Sequence, residues 1–293
     1  MLNVSENSLS DLSLYNFKVD KSPLFAPHPV FNTPIPVPST MSQAVIKEDG
    51  TVLGVVGPRT NIYNYKDTCE VVNESLGNNP DIDLSDIKVT NRIYNDGAYM
   101  KRTIEFKKMK IEPQIGDIIN FSIDHFDSYN SKWATQIMGM PRRLWCLNGC
   151  TSPDYTIKWY SRHSANEPVS LKHFAKTLED AVIDFQKQEG RFKRMIKTPV
   201  STYQVQSFIR GFCFSPTKNN PRNYSKPLYQ ELLGSWNTEK SLGDDSLYTL
   251  YNTLTRWATH VSTNGQTHTV ERHRNSRVAL ALKSTAWKQL EAA

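Results

Sequence analysis

The sequence is poor in cysteine and has no long apolar run. Its four cysteines, in 293 residues, are too few for a disulfide-rich secreted protein, and no basic-then-apolar segment begins the chain. We therefore expect free thiols and a cytoplasmic protein. No stretch approaches the roughly 20 apolar residues that a membrane-spanning helix requires, so neither an integral membrane protein nor a membrane partner is expected.

Motifs for catalysis are also missing. The chain has no Walker-type glycine-rich phosphate loop, no Gly-x-Ser-x-Gly and no His-Glu-x-x-His. Cys146 and Cys150 lie upstream of His163, but their spacing differs from that of ordinary zinc modules, and buried or half-buried thiols are the preferred interpretation. We therefore predict no cofactor, no metal and no enzymatic activity.

One group of side chains keeps an enzymatic alternative open. Asp124, His125 and Asp127 stand close together, with Asp117 upstream, and such ligands could hold a hard divalent cation for phosphodiester cleavage. In a strand, Asp124 and His125 would point to opposite faces. A solvated strand end with an Asp-Ser turn is the interpretation that we prefer.

What the chain does have is a surplus of positive charge. Lys and Arg total 35 against 29 for Asp and Glu, which gives a formal net charge of +6 and a pI near 9.0. This balance favours an anionic partner. Hydrophobic residues make up 38% of the chain, which is enough for a sizeable core and excludes disorder of the whole chain.

Residues 1–45 differ in composition from the rest of the chain. They are rich in Ser, Asn and Pro, and the six prolines from Pro23 to Pro38 disfavour both helix and central strand. Apolar residues such as Phe17, Phe25 and Phe31 interrupt this segment, and pure linkers lack such residues. We predict an N-terminal arm over 1–45 that docks on another subunit or on its own domain, with simple disorder as the alternative.

The segment 46–165 is predicted to be rich in strands. Asn95-Asp96-Gly97 lies between two β-rich runs, which is a strong hairpin signal. A short helix is predicted near 66–77. The predicted strands are Val52–Val56, Ile87–Tyr94, Ala98–Phe106, Ile118–His125, Ala134–Met140, Arg143–Leu147 and Thr156–Tyr160.

The segment 166–293 is predicted to be rich in helices. One apolar stripe with helical spacing covers 171–185, after a candidate N-cap at Asn166. A second stripe covers 247–261 and is opened by the candidate caps Asp244 and Asp245. Shorter helices are predicted near 199–212 and 226–235, and a last one over about 273–292.

This order of elements predicts an α+β fold. Strands come first and helices follow, which favours an antiparallel sheet packed against C-terminal helices over a doubly wound parallel sheet. We expect a single domain over 46–293 that carries the extended arm.

The positive charge comes in clusters with aromatic residues between them. Strands that present cations to phosphates and rings to bases meet the needs of single-strand binding, because every base has a π-face and every linkage a charge. Burial of the tryptophans in a core, and lysines that merely coat a solvent face, would explain the same pattern. The predicted nucleic-acid contacts are Arg59, Lys101, Arg102, Lys107, Lys108, Lys132, Trp133, Arg142, Arg143, Trp145, Lys158, Arg162, His163, Arg191, Lys193 and Arg194.

Four segments carry a family resemblance. They are Leu53-Gly54-Val55-Val56-Gly57-x-Arg59, Arg143-Leu144-Trp145-Cys146-Leu147-Asn148, Arg162-His163-Ser164 and Tyr251-Asn252-Thr253-Leu254-Thr255-Arg256-Trp257-Ala258. In this order they resemble a family of phage- and plasmid-encoded proteins of uncharacterised function, over about residues 50–290. The chain departs from that family in having Asn148-Gly149 where Asn-Thr is usual, and in its longer arm.

The resemblance implies a phage or mobile-element source, and therefore a host cytoplasm, but no chemistry. A sheet with a long helix behind it resembles, at fold level, the single-strand annealing proteins of the RecT and Redβ group. We predict a single-stranded DNA-binding protein that forms a homo-oligomeric ring or filament and promotes strand annealing in replication or recombination. A metal-dependent nuclease and a protein that sequesters a host defence factor are the alternatives.

Overall fold

The computed structural model describes residues 2–27, 30–31, 33–38, 40–80, 82–143, 159–161, 163, 171–214, 224–260 and 267–292. The chain divides into two compact units. Unit 1 consists of Met1–Lys108, Ser122–Gly139 and Ile157–Ala181, and unit 2 of Met109–Phe121, Met140–Thr156 and Val182–Ala293. Among the described helices, none is long and apolar enough to cross a membrane.

Strands dominate the first half of the chain and helices the second, which confirms the predicted α+β class. The described strands form a six-stranded sheet in the order β1-β6-β7-β8-β9-β10 and a four-stranded sheet in the order β3-β2-β4-β5. The strands are β1 (Leu2–Asn7), β2 (Val19–Pro27), β3 (Pro34–Val37), β4 (Gln43–Lys47), β5 (Val52–Val56), β6 (Ile87–Tyr94), β7 (Tyr99–Ile111), β8 (Ile119–Ser128), β9 (Thr135–Arg143) and β10 (Trp159–Ser161).

The helices follow their predicted positions with two corrections. The N-cap of the helix at 247 is Ser246, whose Oγ accepts the N–H of Thr249, and not Asp244 or Asp245. The predicted last helix is two helices, because the Ser284 hydroxyl caps a new one. The described helices are α1 (Tyr65–Gly77), α2 (Leu171–Lys197), α3 (Thr202–Phe212), α4 (Lys226–Lys240), α5 (Leu247–Thr259), α6 (Thr267–Leu282) and α7 (Thr285–Glu291).

The predicted hairpin at Asn95-Asp96-Gly97 is confirmed. The three residues have φ angles of 50°, 58° and 123°, a left-handed region that Asn, Asp and Gly tolerate. Position 97 must also lack a side chain, because a Cβ on Gly97 would lie only 3.1 Å from the ring of Phe17. The turn holds β6 and β7 in a register that pairs Asn91 with Arg102.

Strand β8 is buried along its whole length. One side of it supplies apolar residues to the interior, while the intervening positions carry Asn120, Ser122 and Asp124, which are buried as well. Since a buried polar group requires a partner, this strand dictates much of the surrounding hydrogen bonding.

The N-terminal segment is an integral part of unit 1. Residues Leu2–Asn7 form β1, which adds antiparallel to β6 at the edge of the six-stranded sheet. Leu12 and Tyr15 are buried in the hydrophobic core, with Val45, Met100 and Phe126 among their cluster. Over these residues the segment therefore packs on unit 1.

Tyr15 anchors this segment to the sheet. Its ring is fully buried and packs edge-on against Tyr65 at a centroid distance of 6.3 Å. Its hydroxyl donates to the carbonyl oxygen of Lys101 at 3.2 Å and accepts the N–H of Arg92 at 3.3 Å. The residue therefore joins the N-terminal segment to β6, β7 and α1.

Replacing Tyr15 with Ala is expected to lower the free energy of unfolding by about 3–5 kcal/mol, because a buried aromatic ring is lost. Tyr15→Phe removes only the hydroxyl and should cost about 1 kcal/mol. Urea denaturation measures both losses. The control Ile115→Ala, at a fully exposed residue, should stay within about 0.5 kcal/mol of the parent. An equal loss for Tyr15→Ala and this control would contradict the role of the segment.

Candidate nucleic-acid interface

The predicted contact residues divide into exposed and buried groups. Lysines and arginines on the surface can meet a phosphate backbone, whereas buried ones cannot. The exposed members are Arg59, Lys107, Lys108, Lys132, Lys193 and Arg194. Arg191 is largely buried, and the His163 side chain is almost completely buried.

Lys101 is one of the buried members. Its Nζ lies 3.1 Å from Oδ2 of Asp124, and both side chains are almost completely shielded from solvent. The other oxygen of Asp124 accepts the hydroxyl of Thr103 at 2.7 Å. Lys101 also lies over the ring of Phe126, 5.2 Å from its centroid. The prediction that Lys101 contacts nucleic acid is therefore wrong, because its charge neutralises a buried carboxylate.

Arg102 points to the opposite face of β7 and is fully buried. Its guanidinium donates to the carbonyl oxygen of Leu9 at 2.7 Å, to Oδ1 of Asn73 at 2.8 Å and to the carbonyl oxygen of Cys69 at 3.4 Å. These bonds tie the N-terminal segment and α1 to the sheet. The prediction that Arg102 contacts nucleic acid is therefore also wrong, because its guanidinium has a structural role.

Trp133 is the third buried member. Its ring packs against Tyr99 at a centroid distance of 4.8 Å and edge-on against Phe126 at 5.7 Å. The Trp133 backbone exchanges two hydrogen bonds with the hydroxyl of Ser128. The ring is part of the core, so the prediction that it stacks on a base is wrong.

The acidic group proposed as a metal site is buried, and not solvated as we expected. Asp124 is paired with Lys101, and Asp117 accepts the hydroxyl of Tyr248 at 2.6 Å within unit 2. Asp127 is engaged with three donors, as set out below. Among the residues that the structure describes, no cluster of three His, Cys, Asp or Glu side chains could hold a metal ion.

Cys69 and His125 form a buried pair that resembles a nucleophile and its base. The thiol sulfur lies 3.8 Å from Nδ1 of His125. Burial raises the pKa of the Cys69 thiol to about 12. Burial, aided by the Arg102 cation, lowers the pKa of His125 to about 3. Both groups are uncharged at neutral pH, so this pair lacks the thiolate that a cysteine nucleophile requires.

His163 joins the loop between β5 and α1 to strand β8. Its Nε2 donates to Oδ1 of Asp127 at 2.8 Å, and its Nδ1 donates to the carbonyl oxygen of Asn61 at 3.1 Å. The N–H of Asn61 donates in return to the His163 carbonyl oxygen at 3.1 Å. We call these three residues the His163 junction. Because both ring nitrogens face acceptors, the ring is held as an imidazolium.

The surroundings of Asp127 explain why this charge state is stable. Burial lowers the pKa of His163, but the hydrogen bond and the negative charge of Asp127 outweigh burial and leave the pKa raised. The same carboxylate accepts the N–H of Ser128 at 2.7 Å and the hydroxyl of Thr135 at 2.9 Å. His163 is therefore a positioning residue, with no ring nitrogen left for a ligand.

Two exposed cations lie close to the junction residues along the chain. Arg59 lies two residues before Asn61, and Lys132 lies in the turn that follows Asp127. Strand β5, which precedes Arg59, approaches the turn after β8 as closely as glycine allows, because a Cβ on Gly54 would lie 2.5 Å from Cβ of Asn130. The N–H of Lys132 donates to Oδ1 of Asn130 at 3.2 Å.

An aromatic side chain completes this surface. Tyr63 is half-buried, and its ring lies 5.4 Å from the ring of His163, tilted by 34°. We call Arg59, Tyr63 and Lys132, with the His163 junction beneath them, the junction surface. Sequence reasoning identified Arg59, Lys132 and His163 but missed Asn61 and Tyr63, which lie in a loop without a local pattern.

The remaining predicted contacts are elsewhere in the chain. Lys108 forms an exposed ion pair with Asp83 at 2.8 Å in unit 1. In unit 2, Arg191 pairs with Glu291 at 2.7 Å and Lys193 with Glu189 at 2.6 Å. The side chains of Arg142 and Arg143, and all of Trp145, Lys158 and Arg162, lie outside the described residues, as do Cys146 and Cys150.

A family model described as "Domain of unknown function (DUF932)" matches residues 52–284. No curated protein and no solved structure matches the chain. The match agrees with the expected family of uncharacterised function, whereas the source in a phage or plasmid stays a prediction.

Replacing His163 with Gln is expected to destabilise unit 1 in a pH-dependent way. The folded pKa of His163 lies above its ordinary value of 6.5, so its charge contributes fully below that value and is lost as pH rises through the folded pKa. We expect the variant to lose about 2 kcal/mol at pH 6, as for hydrogen bonds to charged groups. The loss should be smaller at pH 9. Urea denaturation at both values tests this, and a loss independent of pH would argue against an imidazolium.

Replacing Lys101 with Met is expected to cost about 3–5 kcal/mol of unfolding free energy, because Asp124 then remains buried without its counter-charge. Lys107→Met, on the exposed end of the same strand, is the matched control and should change stability by less than about 0.5 kcal/mol. Thermal and urea unfolding compare the two. Similar stability in both variants would show that the ion pair is unimportant.

Proposed function

This chain belongs to the DUF932 family of domains of unknown function, and we propose that it binds single-stranded DNA at the junction surface of unit 1. In this proposal the protein is cytoplasmic, assembles into a ring or filament of identical subunits and promotes strand annealing during phage or plasmid replication and recombination. The observation that carries the proposal is the His163 junction, which ties the loop after Arg59 to strand β8, just before the turn that contains Lys132.

The charge and shape of the junction surface support this function. Arg59 and Lys132 are exposed, and they lie two residues before Asn61 and five residues after Asp127, the two residues to which the His163 ring bonds. Exposed cations of this kind can neutralise phosphates of a DNA strand. The half-buried ring of Tyr63 packs against His163 in the same region, and aromatic rings are side chains on which bases stack.

Sequence-independent binding fits these residues better than base readout. Arginine and lysine that contact phosphates position a strand and carry no sequence information. The net charge of +6 also favours association with a polyanion. A strand held by its backbone keeps its base edges accessible, which annealing requires. The nuclease alternative has no support from the described carboxylates, because Asp117, Asp124 and Asp127 each have a protein partner.

The double variant Arg59→Gln/Lys132→Gln is expected to bind an oligo-dT strand about tenfold more weakly at low salt. Loss of two phosphate contacts should also make the plot of log affinity against log salt shallower by about 1.4, since each contact on single strands contributes about 0.7. Fluorescence anisotropy over a salt series measures both quantities.

The matched control is Lys226→Gln/Lys288→Gln. Both lysines are exposed and lie in unit 2, outside the predicted contacts, and the change in net charge is the same. This control should keep the affinity and the slope of the parent protein. Equal weakening in both double variants would show that only net charge matters. If the affinity of the parent protein for oligo-dT does not change with salt concentration, the proposal is wrong.

A further inference from the structure

A small polar pocket lies in unit 2, where α4 ends and α5 begins. Its volume is about 20 Å³, which is room for one water molecule or one metal ion. The exposed residues Leu242, Gly243 and Asp244 line one side of it, so the pocket is reached from the surface. Among the residues that the structure describes, no lysine, arginine or histidine lines it. The buried polar side chains of its lining are Glu239, Ser246, Tyr248, Thr249 and Asn252.

Asn252 contributes an oxygen without a partner to this lining. The residue is 2% exposed, and its Oδ1 has no hydrogen-bond donor among the described residues. An amide oxygen carries two lone pairs, and leaving them unpaired in the interior costs free energy. The occupant that satisfies this oxygen is either a hydrogen-bond donor or a cation.

The hydroxyl groups of the lining offer lone pairs, because their protons are already used. Tyr248 donates to Oδ2 of Asp117 at 2.6 Å. Thr249 donates to the carbonyl oxygen of Asp244 at 2.6 Å. The Ser246 hydroxyl lies 3.2 Å from Oγ1 of Thr249, and it is the donor of that bond because the Thr249 proton is engaged.

This arrangement favours a cation over a water molecule. A buried water ordinarily makes about three hydrogen bonds, as both donor and acceptor. In this pocket it would meet acceptors for its protons but no hydroxyl donor for its own lone pairs. A cation requires only lone pairs, and the lining provides them.

Glu239 adds a buried negative charge to the pocket. Its side chain is 2% exposed, and Nη1 of Arg256 lies 3.4 Å from its Oε1. A carboxylate can accept about four hydrogen bonds, so one arginine contact leaves it able to bind a second cation. The C-terminal end of α4, which carries a negative partial charge, acts in the same direction. The N-terminal end of α5 opposes it, but the Ser246 cap already engages one N–H there.

We propose that this pocket binds a single hard metal cation, with the amide oxygen of Asn252 and the carboxylate of Glu239 as ligands. Hydroxyl oxygens and water complete the shell. Oxygen atoms of these kinds are the ligands of Ca²⁺ and of other hard cations. Because one buried carboxylate supplies most of the charge, the dissociation constant for Ca²⁺ is expected to be on the order of 10⁻⁴–10⁻³ M. The inference goes beyond the proposed function and does not depend on DNA binding.

Luminescence of Tb³⁺, an ion that replaces Ca²⁺ at oxygen sites, tests the pocket. Tyr248 lines the pocket, so its excitation energy can pass to a bound Tb³⁺. We expect the parent protein to give sensitised luminescence that saturates with Tb³⁺. Displacement by the chlorides of calcium, magnesium, potassium and sodium, at an ionic strength held constant with choline chloride, identifies the preferred cation.

The variant Asn252→Leu distinguishes a cation ligand from a merely structural amide. It removes the oxygen at nearly the same size, so we expect affinity for Tb³⁺ to fall by at least about tenfold. Thermal unfolding without added cation should be unchanged or shifted upward, because an unpaired buried oxygen is gone. The preferred cation should raise the Tm of the parent and not that of the variant. Asn237→Leu, at an exposed position on α4, is the matched control.

Glu239→Gln is the second variant, since it keeps the shape of the side chain and removes its charge. Its affinity for Tb³⁺ should also fall by at least about tenfold. Circular dichroism shows whether each variant is folded. Affinity for oligo-dT should stay at the parent value in all three variants, because Arg59 and Lys132 are intact, and this keeps the two proposals distinguishable.

Two results would overturn the inference. If the parent shows neither sensitised luminescence nor a shift in Tm with any of the four salts, the pocket holds a water molecule only. If Asn252→Leu and Asn237→Leu both bind Tb³⁺ as tightly as the parent, the ion binds surface carboxylates and not the pocket.

Discussion

The burial of β8 on both faces is the constraint from which most of this structure follows. A strand that carries Asp124, His125 and Asp127 into the interior must provide each of them with a partner or suppress its charge. Asp124 recruits Lys101 and Asp127 recruits His163, while His125 stays neutral beside the Cys69 thiol. Some of the charged residues in this region are therefore present to neutralise buried carboxylates, and not to bind a partner at the surface.

The fold was predictable wherever the signal is local. The bounds of β5 and β6 agree with those predicted from β-branched runs, and the Asn95–Gly97 turn follows from residues that tolerate positive φ. Strand β1 was not predictable, because its residues become a strand only by pairing with β6, more than 80 residues away. The last helix was predicted as one because a stripe of apolar residues does not reveal that Ser284 caps a new helix.

The site was predictable only in part, for a related reason. Arg59 and Lys132 stand in turns, and turn residues are usually exposed. Lys101, Arg102 and Lys107 are neighbours on one strand, yet the first two are buried and the third is exposed. In a strand, successive side chains point to opposite faces of the sheet. Which of these faces is covered depends on α1 and on the N-terminal segment. Asn61 enters the site through a contact with a residue about a hundred positions away.

The N-terminal segment is part of what stabilises unit 1. Residues 1–51 precede the family match, yet they supply β1 and the buried Tyr15. The carbonyl oxygen of Leu9 accepts from Arg102, which ties the start of the segment to β7 and α1. Four residues after Tyr15, β2 begins and pairs with β4, so the segment also enters the four-stranded sheet. The core of unit 1 therefore depends on residues that lie outside the family match.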